Sequence, residues 1–318
     1  MDIRLSHLRT FREVARRGSF SRAGEALRLS QPAVSLHVRQ LEEAFGARLL
    51  ERVGKRAFPT AAGETVLAHG ERAFAEIEAA RSALAQHGDA IAGRVRLGTG
   101  ATASIYLLPA LFRRLRLRHP ALELTVTTGN TSDITQAVAG NALDIAVVTL
   151  PVRGRELAVT PFYEDKLVVI APPEPRWKRT HTIAPAELAR HPLVLFERGA
   201  AIRGVMDAWF ARGSAAPKDV MELGNAEASK KLVGAGLGLS IISTVAVKQE
   251  RASGELVVLR PVPPLARTLG IVRRRDKPVT PALAAVIAGL ESFARNARAP
   301  AHSGSPRVRL RSSRSEKS

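Results

Sequence analysis

The sequence predicts an α/β chain built in parts: a small helical head, a long connecting helix, and a larger body of alternating strands and helices. Three observations predict it. Within residues 1–60, apolar residues recur at helical spacing in three short segments broken by polar turns. Residues 61–88 carry only a narrow apolar seam, too little for a helix to bury itself alone. From Arg94 onward, β-branched runs alternate with helical stripes, the texture of βαβ units and a parallel sheet.

In chain order, Ile3 to Arg16 reads as a first helix with Leu5, Leu8, Phe11, Val14 and Ala15 apolar. Ser19 caps a second, whose stripe is Phe20, Ala23, Ala26 and Leu27. Leu29-Ser30 makes the turn, Ser30 caps a third helix, and Pro32 is tolerated in its first turn. There Val34, Val38, Leu41 and Phe45 form one face, while Gln31, Ser35 and Arg39 recur on an adjacent one. A helix with one side in a small core and an amide, a hydroxyl and a guanidinium on the other suits the major groove of double-stranded DNA: Gln pairs with adenine, Arg with guanine, Ser with base edges or phosphate. Any helical hairpin of a bundle can show the same stripe, so the trio alone leaves DNA binding open. Gly46 ends the helix. Two short runs around Val53-Gly54-Lys55 then predict a hairpin or wing with Arg52, Lys55 and Arg56 near its tip, placed for phosphates or simply solvated.

Thr60 caps the long helix. Leu67, Phe74, Ile77 and Leu84 make a heptad-like seam with Ala73 and Ala80 beside it, and pairing with a second copy is the simplest way to bury it. His87-Gly88 ends the helix and Gly93 marks a boundary. The body holds strands at VRLGT, LELTVTT, LDIAVVT, KLVVIA, PLVLF, DVMEL, LSIIS, ELVVL and LGIVR. Helices are expected at Ile105–Arg118, Thr131–Ala139, near Arg203–Ala211, and at Ala226–Gly234 and Pro281–Arg298. So many elements suit two subdomains, with crossing strands near Tyr163–Lys166 and Pro261–Arg267. The organisation is thus a head at 1–60, a linker helix at 61–92, a two-part body at 93–298 and a basic Ser/Arg-rich tail at 299–318, expected to be disordered.

Composition narrows the function. The 318 residues carry a net charge of +19, which points to a polyanion or an anionic ligand. The excess is spread: +6 over residues 1–60, −2 over 61–88, +10 over 89–297 and +5 over 298–318. Charge alone therefore does not single out the head. With no cysteine, disulfides, thiolate metal sites and cysteine nucleophiles are excluded. The opening MDIRLSHLRTF has no signal-peptide pattern and no stretch is apolar enough to span a membrane, so a cytoplasmic location is expected. The eight histidines are scattered without a metal-ligand spacing and no G-x-S-x-G occurs; neither enzyme, metal nor cofactor is expected.

The stretches LRTFREVARRGSFSRAGEAL, LSQPAVSLHVRQLEEAFGARLLER and FPTAAGE, followed by YLLPALFRRLRLRHPALELTV, LDIAVV and NAEASKKLVGAGLGLSIIS, resemble the LysR-type transcriptional regulators up to about residue 298. The resemblance implies a winged helix-turn-helix, a dimerising linker helix, and a two-lobed α/β domain similar to periplasmic binding proteins. It also implies a homo-oligomer, dimer to tetramer, that bends promoter DNA differently when a small effector enters the cleft. One departure lies in the head: many relatives carry Arg-Gln after the serine where this chain has Leu36-His37, leaving that contact to His37 or Arg39.

Gly98-Thr99-Gly100-Ala101-Thr102-Ala103 formally matches a dinucleotide fingerprint, but the next strand ends in Thr128-Gly129-Asn130 without the required acid, so that reading is rejected. Thr99, Thr102 and Ser104 at a helix start read either as an anion site or as caps. Gly234, Gly236 and Gly238 follow a helix and precede a strand, the reverse of a phosphate loop, and read as helix termination and close packing. The expected effector lining is Thr99, Thr102, Thr128, Asn130 and Thr149 from one lobe, with Phe196, Arg203, Asn225 and Glu227 from the other. By resemblance, the positions of Thr102, Thr149 and Asn225 often face the effector, frequently a carboxylate. Arg203 is either its charge partner or a solvated helix arginine, and Glu227 and Lys230 can pair with each other. Two other classes stay open: an architectural protein that binds DNA without sequence choice, and a solute-binding or enzymatic α/β domain with an incidental helical head.

Overall fold

The computed structural model describes residues 3–54, 56–84, 91–218 and 220–298. The head is built from α1 (Leu5–Arg17), α2 (Phe20–Leu27), α3 (Gln31–Phe45) and a hairpin of β1 (Leu50–Val53) and β2 (Arg56–Pro59). Ser19 Oγ accepts from the Arg22 N–H and Ser30 Oγ from the Ala33 N–H, so both caps form as expected. Leu8, Phe11, Val14, Ala23, Val34, Val38 and Leu41 close the core. Ala26 is exposed, contrary to expectation; Gly24 takes the inward position, because the chain turns so tightly that a Cβ there would stand 2.6 Å from the Leu29 carbonyl oxygen. Phe45 is also outside the core, 41% exposed at the end of α3, where it lines a shallow hollow with Leu8 and Val66.

The hairpin is fixed to this core at two points. Glu42 Oε1 accepts from the backbone N–H groups of Leu49 (2.8 Å) and Leu50 (3.2 Å), and the Ala57 N–H donates to the Gly18 carbonyl. Thr60 then caps α4 (Ala61–Leu84) through the Gly63 N–H. Leu67 and Phe74, expected to face a second copy, pack half-buried against their own head, with the Arg12 guanidinium 4.5 Å over the Phe74 ring. The Leu84 side chain, His87 and Gly88 lie outside the described residues.

The body runs β3 (Gly93–Thr99), a π-helical turn at Ala103–Leu107, α5 (Pro109–Arg118), β4 (Leu122–Thr128), α6 (Thr131–Ala139), β5 (Ile145–Thr149) and β6 (Leu157–Ala171). It continues through α7 (Pro175–Lys178), β7 (Thr182–Ile183), α8 (Pro185–Leu188), β8 (Leu193–Phe196), α9 (Ala201–Arg212), β9 (Val220–Leu223) and α10 (Ala226–Gly234). It ends with β10 (Ser240–Ser243), α11 (Lys248–Ser253), β11 (Val257–Pro261), β12 (Leu265–Arg274) and α12 (Pro281–Arg298). The single helix expected at Ile105–Arg118 is broken, because Pro109 has no N–H to continue the ladder and starts α5 afresh.

The sheet is mixed rather than parallel throughout. Strands β4, β3 and β5 are parallel, but β12 runs antiparallel to β5, and β6 antiparallel to β12, β10 and β11. Strand β6 carries the chain between lobes: its first part pairs β12 in the first lobe and its last residues pair β10 and β11 in the second. Strand β12 is the other crossing, so both crossings fall where expected. The first lobe packs α5 and α12 on one sheet face and α6 on the other. The second has its own core, with Trp209, Phe210, Met206, Val194 and Ile241 fully buried. Close packing, not phosphate binding, explains the rejected fingerprint: a Cβ on Gly98 would meet Leu143 at 2.6 Å and Ile134 at 2.7 Å.

Candidate DNA-reading head and inter-lobe cleft

Helix α3 turns Val34, Val38 and Leu41 inward and leaves Gln31 and Arg39 exposed. Gln31 Nε2 donates to Ser35 Oγ at 2.9 Å, and Arg39 Nε donates to Glu43 at 3.2 Å, so the predicted trio lies along one strip, held by partners it can exchange. Such exposed bonds are worth little in water and are cheap to give up for base edges. His37 does not join them. Its Nδ1 lies 3.0 Å from Thr10 Oγ1 and its ring stacks on His7 with centroids 4.4 Å apart, so it serves the α1–α3 contact. The reason is the side it lies on: it flanks the buried stripe towards α1, where Thr10 and His7 meet it, whereas Gln31 flanks the stripe on the other side.

On the hairpin, Arg52 and Arg56 are exposed, with their guanidiniums over the Phe20 and Phe58 rings at 5.0 Å and 5.7 Å. Lys55 lies outside the described residues. Glu42 was missed by sequence reasoning. The N–H groups it accepts from lie seven and eight residues on, beyond the end of α3, and through them it ties α3 to the start of the hairpin.

In the first lobe, Thr99 and Thr128 end adjacent parallel strands in register, with Thr149 at the end of the next. Thr99 is withdrawn from the effector lining: it is fully buried and its hydroxyl donates to the Val147 carbonyl at 2.8 Å. Ser104 donates to the Ala101 carbonyl, so two of the three hydroxyls at the expected anion site are spent on backbone. Thr102 is half-buried, Thr128 and Asn130 are exposed, and Asn130 caps α6 through the Asp133 N–H.

In the second lobe, Asn225 is exposed and caps α10 through the Ala228 N–H. Arg203 is neither solvated nor free. It is 6% exposed and binds Asp207 (2.9 Å), Glu222 (3.1 Å) and the Phe196 carbonyl (2.7 Å). Two carboxylates and a carbonyl consume it, which removes it as an effector partner, and Phe196 is itself buried in the core.

Two long-range clusters join the lobes. At the strand crossings, buried Arg267 donates to Asp165 at 2.8 Å and to Thr149 Oγ1 at 3.3 Å, and Ser243 donates to the other Asp165 oxygen. Between the lobes, Lys230 Nζ donates to Tyr106 Oη (2.8 Å), the Ala246 carbonyl (3.0 Å) and Glu250 (2.5 Å), with Glu227 at 2.9 Å. Burial pulls the Lys230 ammonium down, but hydrogen bonds to Glu250 and Glu227 outweigh it and hold its pKa above the ordinary value. The converse holds Glu250 below its own: burial raises it and Lys230 more than reverses that. Tyr106 belongs to the first lobe, yet packs against the core of the second.

A third cluster ties the body to α4. Asn141, buried at φ +58°, donates to the Glu71 carbonyl at 2.9 Å, while Lys277 bonds Asn141 and Asp144, and Arg72 lies 3.8 Å from Asp276. Burial raises the Asp144 carboxyl, and Arg96 followed by Lys277 bring it below its usual range. Among the described residues, no group of three or more His, Asp or Glu side chains could hold a metal. No helix among them is long and apolar enough to cross a membrane.

Two family models match the chain. The one described as "Bacterial regulatory helix-turn-helix protein, lysR family" covers residues 5–64, and "LysR substrate binding domain" covers residues 88–294. The chain belongs to the LysR family. It is a DNA-binding transcriptional regulator with an effector-binding domain. This regulator is 33% identical to the RuBisCO operon transcriptional regulator of Allochromatium vinosum, over 90% of this chain and 94% of that one. It is 35% identical to the HTH-type transcriptional regulator CbbR of Xanthobacter flavus, over 90% and 87%. In fold it is similar to a full-length OxyR variant from Pseudomonas aeruginosa (TM-score 0.76, 23% identity, 93% and 97% covered) and to full-length CbnR complexed with its target DNA (0.65, 22%, 92% and 100%). LysR regulators bind promoter DNA and small-molecule effectors and form oligomers.

Proposed function

We propose that two copies of this regulator, joined along residues 60–88, place their α3 helices in successive major grooves of one promoter. Gln31, Ser35 and Arg39 read base edges there, while Ser30, Arg52, Lys55 and Arg56 meet phosphates. The observation that carries this reading is the phase of α3: its core-facing residues are fully buried and the base-reading trio lies along the uncovered side. Regulation rather than catalysis is the proposed role, in the cytoplasm where promoter DNA is met, as the names of the relatives support.

The proposed effector site lies between the lobes, at the carboxyl ends of β3, β4 and β5 on one side and the start of α10 on the other. Thr102, Thr128 and Asn225 contribute polar groups, with the remaining O–H of Thr149. With Arg203 committed elsewhere and Arg267 balanced by Asp165, the site favours a small polar ligand over a strongly anionic one. Closure of the lobes works through the Lys230–Tyr106 contact, and the Asn141–Glu71 bond carries the change to α4 and the head.

In vitro selection with the full-length chain tests the first part. A two-half-site sequence bound at least a hundredfold more tightly than random duplex at fixed salt is expected. Equal affinity for both identifies an architectural DNA binder instead. A thermal-shift screen of small metabolites tests the second, because a cleft ligand stabilises the folded state by mass action.

A further inference from the structure

We propose that Leu36 is a base-reading residue, and that the group it reads is the C5-methyl of a thymine. Leu36 is the sixth residue of α3 and is 51% exposed. It takes no part in the head core, nor in the partly buried shell around it. Helical phase shows how far out it stands. At about 100° per residue, the stripe Val34, Val38 and Leu41 defines an inward direction, from which Gln31 lies roughly 55°, Ser35 roughly 95° and Arg39 roughly 135°. Leu36 lies roughly 165° away, on the outermost ridge of the helix, whereas His37 lies roughly 65° away and is drawn into the α1–α3 contact.

An apolar side chain at that ridge has no intramolecular reason to be there. Its neighbours along the ridge, Pro32, Arg39, Gln40 and Glu43, are all exposed and leave it uncovered. In the major groove the apolar feature of the base edges is the thymine methyl; other pairs present hydrogen-bond donors and acceptors that a leucine cannot satisfy. The side chain therefore selects an A·T pair at a fixed step beside those read by Gln31 and Ser35, and disfavours a bare polar edge there by leaving it desolvated. This rests on the reading that α3 enters the major groove.

The test uses the selected half-site and the full-length chain at one salt concentration. Each thymine is replaced in turn by deoxyuridine, which keeps the base pair and removes only the methyl. At one step per half-site, the replacement is expected to weaken the wild type about fourfold, the worth of one buried methyl. Leu36→Ala is expected to lose affinity for the unmodified site by about four- to tenfold, to become insensitive to that same replacement, and to bind random duplex as the wild type does. Leu36→Met restores the sensitivity. If Leu36→Ala keeps wild-type affinity, or loses it while every deoxyuridine replacement costs what it costs the wild type, Leu36 does not read a methyl. A wild type with no preference for any site over random duplex removes base reading by α3, and this assignment with it.

Discussion

Replacing Tyr106 by phenylalanine deletes a single oxygen from a contact that spans the two lobes. The Lys230 ammonium keeps the Ala246 carbonyl, Glu250 and Glu227, so it is not left bare, and the loss is the net worth of one charge-assisted hydrogen bond. Such bonds contribute about 1.5–3 kcal/mol when well buried; Tyr106 is only half-buried, which brings the expectation to about 1–1.5 kcal/mol. For a body of this size that is a fall in Tm of about 2–5 °C. Lys230→Met is harsher, because it strands Glu250, whose side chain is 17% exposed, beside Glu227; about 3 kcal/mol is expected. The decisive measurement is a double-mutant cycle by thermal and urea denaturation. In the Lys230→Met background, Tyr106→Phe should cost almost nothing, giving a coupling of about 1 kcal/mol. Strictly additive losses would show that hydroxyl and ammonium do not interact in solution, and the proposed role of the contact in lobe closure would fall with them.

Gln31→Ala should cost roughly 1–3 kcal/mol on the selected site and little on random duplex, whereas Arg56→Ala should weaken both alike and lower the salt slope by about one; equal losses for Gln31→Ala on both DNAs would sink its assignment to base readout. Gly98→Ala should destabilise the body by about 1–3 kcal/mol, since the new methyl runs into the packed Leu143 and Ile134 side chains; an unchanged Tm would mean the pocket can give. Acid should act through Asp144 and Glu250. Both have folded pKa values below their ordinary 3.8 and 4.5, so their stabilisation is complete above those values and is lost as pH falls through the lower folded ones. A Tm that holds from pH 7 to about 5 and falls below about 4.5 is expected, with part of the fall abolished in Lys230→Met.

Some of the site was legible because its cause is local. Ser30 caps α3 and Asn225 caps α10 through N–H groups three residues on, and Thr131–Ala139, Ala226–Gly234 and Pro281–Arg298 begin and end where the sequence places them. That Gln31, Ser35 and Arg39 share one strip follows from their spacing of four residues. The misreadings share a different cause. Thr99 and Arg203 have the right chemistry for a cleft, and nothing within a few residues says that Val147 and Glu222 will consume them. The family resemblance offers His37 a DNA contact, and nothing local shows that Thr10 and His7 take it once α1 has packed.

By itself the sequence determined the longer helices apart from the break at Pro109, the caps at Ser19, Ser30 and Thr60, most of the head's inward face, the two crossing points and the membership of the family, because each rests on a periodicity or motif read along the chain; α7, α8 and α11 are too short to show a periodicity. The tertiary structure alone decided which polar groups remain free. Tyr106 and Lys230 are 124 residues apart, Arg267 and Asp165 102, Asn141 and Glu71 70. A buried charge is satisfied by whatever acceptor the fold brings within about 3 Å, a condition set by the meeting of distant segments and by no local propensity.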